Sequence, residues 1–113
     1  MKIEERDKEY IIMMVEYCER IEAATVRFGN SFELFEKDVD YQDVVNMNIF
    51  QIGELSNQLS DELKESLPDI PWHQLYGIRN ILAHAYISIE NKVIWDTVQN
   101  DIPKLKEMLQ NKA

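Results

Sequence analysis

Tyr10-Ile11-Ile12-Met13-Met14-Val15-Glu16-Tyr17-Cys18-Glu19-Arg20-Ile21-Glu22-Ala23-Ala24-Thr25-Val26-Arg27-Phe28 decides the fold. Within it Tyr10, Met14, Tyr17, Ile21, Ala24 and Phe28 recur at alternating steps of four and three, the spacing that lines one face of an α-helix. Ile11 and Cys18 widen the stripe. Gly29-Asn30-Ser31 follows at once and supplies a stop, because Gly and Asn tolerate the left-handed conformation that closes a helix.

The same period returns three times downstream. Tyr41, Val45, Asn48, Ile52, Leu55 and Leu59 predict a second helix from about Asp40 to Leu63. Polar Asn48 falls inside its seam, where it either fixes register or faces a cleft. Pro68-Asp69-Ile70-Pro71 breaks the chain, and Pro71 suits the start of a third helix, where a missing N–H costs nothing. Trp72, Leu75, Ile78 and Leu82 share a face of that short helix. Residues 87–90 read as a bend. A fourth helix from about Asn91 carries Ile94, Val98, Ile102, Leu105 and Leu109, with Ser88 or Asn91 as its cap and a kink expected at Pro103. No β-alternation, repeat or low-complexity tract occurs. The expectation is therefore an all-α fold: an antiparallel four-helix bundle forming one domain over residues 1–113.

Composition narrows the function classes. A net charge of −9 argues against a surface that coats nucleic acid, since such affinity comes from Lys and Arg neutralising phosphates. It leaves room for an enzyme whose contacts are confined to one cleft, or for a basic partner. The longest apolar run, Ile11 to Val15, is far short of the ~20 residues of a membrane span. The lone Cys18 sits on the apolar stripe, reads as a core residue, and suits a reducing compartment. A cytoplasmic protein without membrane contact is expected. There is no glycine-rich phosphate loop. His73 and His84, eleven residues apart, have no partner at ligand spacing, and Asp61, Glu62 and Glu65 read as a solvated face, so neither a metal nor a cofactor is expected. Trp72 and Trp95 read as core anchors.

One stretch stands apart: Arg79-Asn80-Ile81-Leu82-Ala83-His84-Ala85-Tyr86. A permanent cation, an imidazole and a phenol are the groups that phosphate chemistry needs. On an ideal helix Asn80 and His84 share a face, whereas Arg79 and His84 diverge by about 140°. Convergence would require the helix to end near His84, a long reach by the arginine, or a twofold dimer that opposes two copies. RNA cleavage by the 2′-hydroxyl needs a base, an acid and a cation, and two opposed His84 side chains would divide the first two roles. The structural reading keeps Arg79 as the partner of a carboxylate such as Glu54, with His84 closing a helix end.

Taken as a set, Arg79-Asn80 followed by His84-x-Tyr86 resembles the R-x4-H-x-Y motif of the HepT-like toxins, within the HEPN superfamily of all-α ribonuclease domains. Gln51-Ile52-Gly53-Glu54, Ile70-Pro71-Trp72 and Ile102-Pro103-x-Leu105 resemble further segments of that family, so the likeness spans essentially the whole chain. The resemblance implies a metal-independent endoribonuclease, commonly dimeric, acting as the toxin of a two-gene toxin–antitoxin pair whose antitoxin is an MntA-like nucleotidyltransferase. Carried over by position, it makes Arg79 and His84 catalytic, with Asn80 and Glu54 in support. It makes Tyr86 the site that the antitoxin silences by attaching AMP. The other function class that fits is a non-catalytic nucleotide- or partner-binding module docking to a nucleotidyltransferase.

Overall fold

The computed structural model describes residues 4–112. Among them there is no strand; every regular element is helical. Helix α1 spans Glu5–Phe28, α2 Phe32–Lys37, α3 Val39–Gln58, α4 Asp61–Ser66, α5 Trp72–His84, α6 Asn91–Asp96 and α7 Ile102–Gln110. No helix of the described residues is long and apolar enough to cross a membrane.

The apolar stripe of α1 does form the core, though centred slightly to one side of the expected line. Ile11, Met14, Cys18, Ile21 and Ala24 are buried, while Tyr10, Tyr17 and Phe28 are half-buried and flank them. Burial pushes the Cys18 thiol up to about 12, as befits a small core residue. Gly29 stops α1 with φ +109°, a value that favours glycine, and the Tyr41 hydroxyl donates to its carbonyl at 2.9 Å. Tyr41 also joins Phe28, Phe35 and Trp95 in an aromatic cluster with ring centroids 4.9–6.2 Å from Tyr41. Trp95 is a core anchor; Trp72 is half-buried and donates its indole N–H to the Lys64 and Leu67 carbonyls.

Among the described residues seven α-helical segments stand where four are expected, because local capping and a π-helical segment interrupt the long patterns. Ser31 begins the additional α2, and Asp38 starts α3 by accepting from the Asp40 and Tyr41 amides. The second predicted helix ends at Gln58 instead of Leu63, since Leu59 turns extended and Ser60 caps a new helix. Buried Asp7 on α1 fixes that break, accepting from the Ser60 amide at 3.0 Å and its hydroxyl at 2.6 Å. Asp7→Ala is expected to lower folding stability by about 2 kcal/mol in urea titration, because it leaves the half-buried Ser60 amide and hydroxyl without their acceptor.

Just ahead of Pro103, where a kink is expected, a π-helical segment over Thr97–Asp101 joins α6 to α7. Pro103 cannot donate to the carbonyl four residues back, and its ring crowds that carbonyl. The Ile102 N–H bonds instead to the Thr97 carbonyl, five residues back, and the wider turn absorbs the missing bond. Neither Ser88 nor Asn91 caps α6; Glu90 holds the N-cap position and makes no side-chain cap bond. α1 packs along α3 and α7, and α3 packs along α5. The α3–α5 seam carries the residues of interest.

Candidate active site

Arg79 lies on the face of α5 turned towards α3. Its Nε donates to Glu54 Oε1 and its Nη1 to Asn80 Oδ1 at 2.8 Å, while the guanidinium carbon stands 5.6 Å from the centre of the Phe50 ring. Two hydrogen bonds and an aromatic face therefore hold the arginine from three sides. Nη2 carries no hydrogen bond among the described residues. Asn80 serves Arg79 in this arrangement and does not reach His84.

Gly53 makes this approach feasible. A Cβ added there would sit 2.4 Å from Arg79 Cβ and 3.3 Å from the Leu75 carbonyl oxygen. Only a residue without a side chain lets α5 press its backbone and Arg79 so close to α3. Gly53-Glu54 thus acts as a unit: one residue admits the arginine and the next grips it.

His84 is the last residue of α5 and is exposed, with no hydrogen-bond partner among the described residues. Arg79 is pinned against α3 and His84 faces outward, so the divergence computed for an ideal helix persists along α5. Tyr86, by contrast, is not on that helix. Ala85 leaves helical geometry (φ −148°, ψ 48°) and Tyr86 opens a 3₁₀ turn over Tyr86–Ser88, which replaces the expected bend. Its hydroxyl donates to Asp43 Oδ1 at 2.6 Å and accepts from Asn46 Nδ2 at 3.2 Å, both on α3. Burial, then the hydrogen bond to the Asp43 carboxylate, pushes the phenol above its ordinary value, so it holds its proton at neutral pH.

Asp43, Asn46 and Phe50 went unremarked in the sequence, although the signal was there. Asp43, Asn46, Phe50 and Glu54 run along α3 in steps of three and four, a second line beside the core stripe. Asn48, the seam residue singled out instead, spends its amide on the Val44 carbonyl at 2.7 Å within its own helix. Among the described residues no three His, Cys, Asp or Glu side chains converge as a metal-ligand set.

Residues 14–111 match the family described as ribonuclease HepT-like. The chain belongs to the HepT-like family. Among its HepT-like relatives is a protein of Thermococcus cleftensis provisionally named ribonuclease HepT, 36% identical over 99 residues, which make up 88% of each chain. A provisionally named RNase of Methanocaldococcus jannaschii is 33% identical over 85 residues, 67% of this chain and 78% of the relative. Another, from Caldanaerobacter subterraneus, is 35% identical over 86 residues, 73% of this chain and 77% of the relative. No solved structure matches the chain significantly.

Proposed function

We propose that this HepT-like chain, a single domain over residues 1–113, is a metal-independent endoribonuclease whose active site is completed by a second copy. The observation that carries the reading is the fixed guanidinium of Arg79: Glu54, Asn80 and Phe50 hold it in place, with Nη2 left for a phosphate oxygen. A preorganised cation aimed at developing charge is the largest single aid to phosphoryl transfer.

The ribose 2′-oxygen attacks the adjacent phosphorus and the bond from phosphorus to the 5′-oxygen breaks. One His84 takes the 2′-hydroxyl proton; the His84 of the second copy gives a proton to the departing 5′-oxygen. Arg79 faces the charge that accumulates on the pentacoordinate phosphate. The products are a 2′,3′-cyclic phosphate and a 5′-hydroxyl. An exposed imidazole at the end of α5 suits a site shared between copies, since nothing among the described residues competes for it. The net charge of −9 means that RNA is held locally, at this cleft.

As the toxin of a toxin–antitoxin pair, the chain is silenced at Tyr86 by a nucleotidyltransferase antitoxin. The phenol oxygen bonds to the α-phosphorus of ATP, pyrophosphate leaves, and the phenol proton passes to the Asp43 carboxylate that already accepts its hydrogen bond. The new phosphodiester sets a negative charge beside Asp43 and repels RNA. The test is end-labelled RNA incubated with purified protein in excess EDTA. Fragments ending in 2′,3′-cyclic phosphate are expected; loss of cleavage on chelation overturns the mechanism.

A further inference from the structure

A groove of 540 Å³ runs between α3 and the end of α5. Asp43 and the Tyr86 hydroxyl bonded to it close one end, and Met47, Phe50, Leu82 and Ala83 line the apolar remainder. The two segments that form it are unlike the rest of the chain. Residues 44–53 and 80–89 are its two longest stretches without Asp, Glu, Lys or Arg, although 29% of all residues are charged. Burial does not account for this, because Val44, Met47, Ile81, Ala83, Tyr86 and Ile87 within them are exposed. An exposed apolar patch of this kind marks a surface that meets another macromolecule, and depletion of charge is what distinguishes the centre of a protein–protein interface.

Beside the groove stands a side chain of the right kind to fill one. Ile87, in the 3₁₀ turn that follows α5, is 98% exposed, more than any other large apolar side chain of the described residues. It adjoins Tyr86 at the groove's edge. Knob and groove thus lie together on one surface, which is the arrangement a twofold axis needs: it seats each copy's knob in the other's groove and leaves neither unpaired. Charge points to the same occupant. A chain of net charge −9 repels its own kind wherever acidic surfaces meet, whereas this face brings two copies together across uncharged segments. RNA would find no Lys or Arg in either segment to meet its phosphates.

We propose that two copies of this chain pair about a twofold axis by seating Ile87 of each in the groove formed by Met47, Phe50, Leu82 and Ala83 of the other. The seat uses the apolar part of the groove and not the Tyr86 hydroxyl. His84 lies in the chain between Ala83 of the groove and Ile87 of the knob, three residues from the knob and so within about 10 Å of it. The axis that joins the knobs to the grooves therefore draws the two imidazoles towards each other. Their division of the proton transfers rests on the ribonuclease reading; the contact does not.

Sedimentation equilibrium in the absence of RNA reads the contact directly. The wild-type chain of 13.4 kDa is expected to sediment as a dimer at micromolar concentration. Ile87→Glu and Met47→Lys should each raise the dimer dissociation constant by at least about a hundredfold, since each acts at both ends of a symmetric contact. Both side chains are exposed, so both variants should keep the wild-type circular dichroism spectrum. Mixing the two variants is the decisive step. In a mixed dimer the introduced carboxylate meets the introduced ammonium at one end, and Ile87 keeps its native seat at the other. The mixture should therefore associate at least about tenfold more tightly than either variant alone. A wild-type monomer, a dimer that survives Ile87→Glu, or two variants that fail to rescue each other would each overturn the contact. If the Phe50 ring signals of such a monomer move in NMR when RNA is added, the groove belongs to nucleic acid instead. A dimer that meets every expectation but cleaves no RNA keeps the contact and sinks the ribonuclease reading; RNA cleavage by a chain that fails them sinks the contact alone.

Discussion

Arg79→Ala is expected to slow RNA cleavage by about a thousandfold, the scale on which a single preorganised donor to a transition-state oxyanion acts. Arg79→Lys should recover little of it. An ammonium keeps the charge but cannot bond Glu54 and Asn80 through a planar fork while leaving a third nitrogen free. His84→Ala should cost a similar factor, about 10²–10⁴, by removing proton transfer. The exposure of His84 makes this variant a clean one, since nothing in the core depends on it. Mixing separates a shared site from a self-contained one. If two copies each supply a His84, equal amounts of wild-type and His84→Ala protein, allowed to exchange subunits, should retain about a quarter of the activity, because only dimers with both histidines work. Retention of half would place base and acid within one chain and remove the need for a second copy. Single-turnover cleavage of end-labelled RNA measures all of these rates.

What the sequence made legible, and what it left hidden, divides along a physical line. The stripes of α1, α3, α5 and α7 could be read because burial of one helical face imposes a period, and a period survives in one dimension. The break at Leu59–Ser60 could not. It depends on Asp7, more than fifty residues earlier, accepting from the Ser60 amide and hydroxyl, and no local pattern in the α3 segment announces that bond. The pairing of Arg79 with Glu54 was one of the readings that the sequence left open, and the α3–α5 seam supplies it. The place of Tyr86 was hidden for a simple reason: seven residues on from Arg79 it would lie in line on a continuing helix, and only the end of α5 at His84 takes it off that line. Once off the helix, Tyr86 turns back to α3, and its partners Asp43 and Asn46 lie forty or more positions upstream. Residues that act by touching across elements are where one-dimensional reading ends.

Two glycines should respond in opposite directions to the same replacement, and the contrast tests whether α3 and α5 are held together at Arg79. Both lie within helices, Gly53 in α3 and Gly77 in α5. On propensity alone each Gly→Ala change gains about 1 kcal/mol. At Gly77 nothing stands within 4 Å of an added Cβ, so Gly77→Ala should show that gain as a melting temperature higher by about 4 °C. At Gly53 the new methyl meets Arg79 Cβ at 2.4 Å and the Leu75 carbonyl at 3.3 Å. Neither is the far end of a flexible chain, so α5 must move. Overpacking of that kind costs about 1–3 kcal/mol and outweighs the propensity term. Gly53→Ala should therefore melt lower than wild type, and Gly53→Val, with two further carbons in the same gap, lower again by a total of about 10 °C. The displacement also carries the guanidinium away from Glu54. Cleavage by Gly53→Ala, assayed well below its melting temperature, should accordingly fall by at least about tenfold, in keeping with the rate lost when a catalytic group shifts by a fraction of an ångström. A Gly53→Ala protein as stable and as active as its Gly77→Ala counterpart would mean that the close approach of the two helices has no part in positioning Arg79.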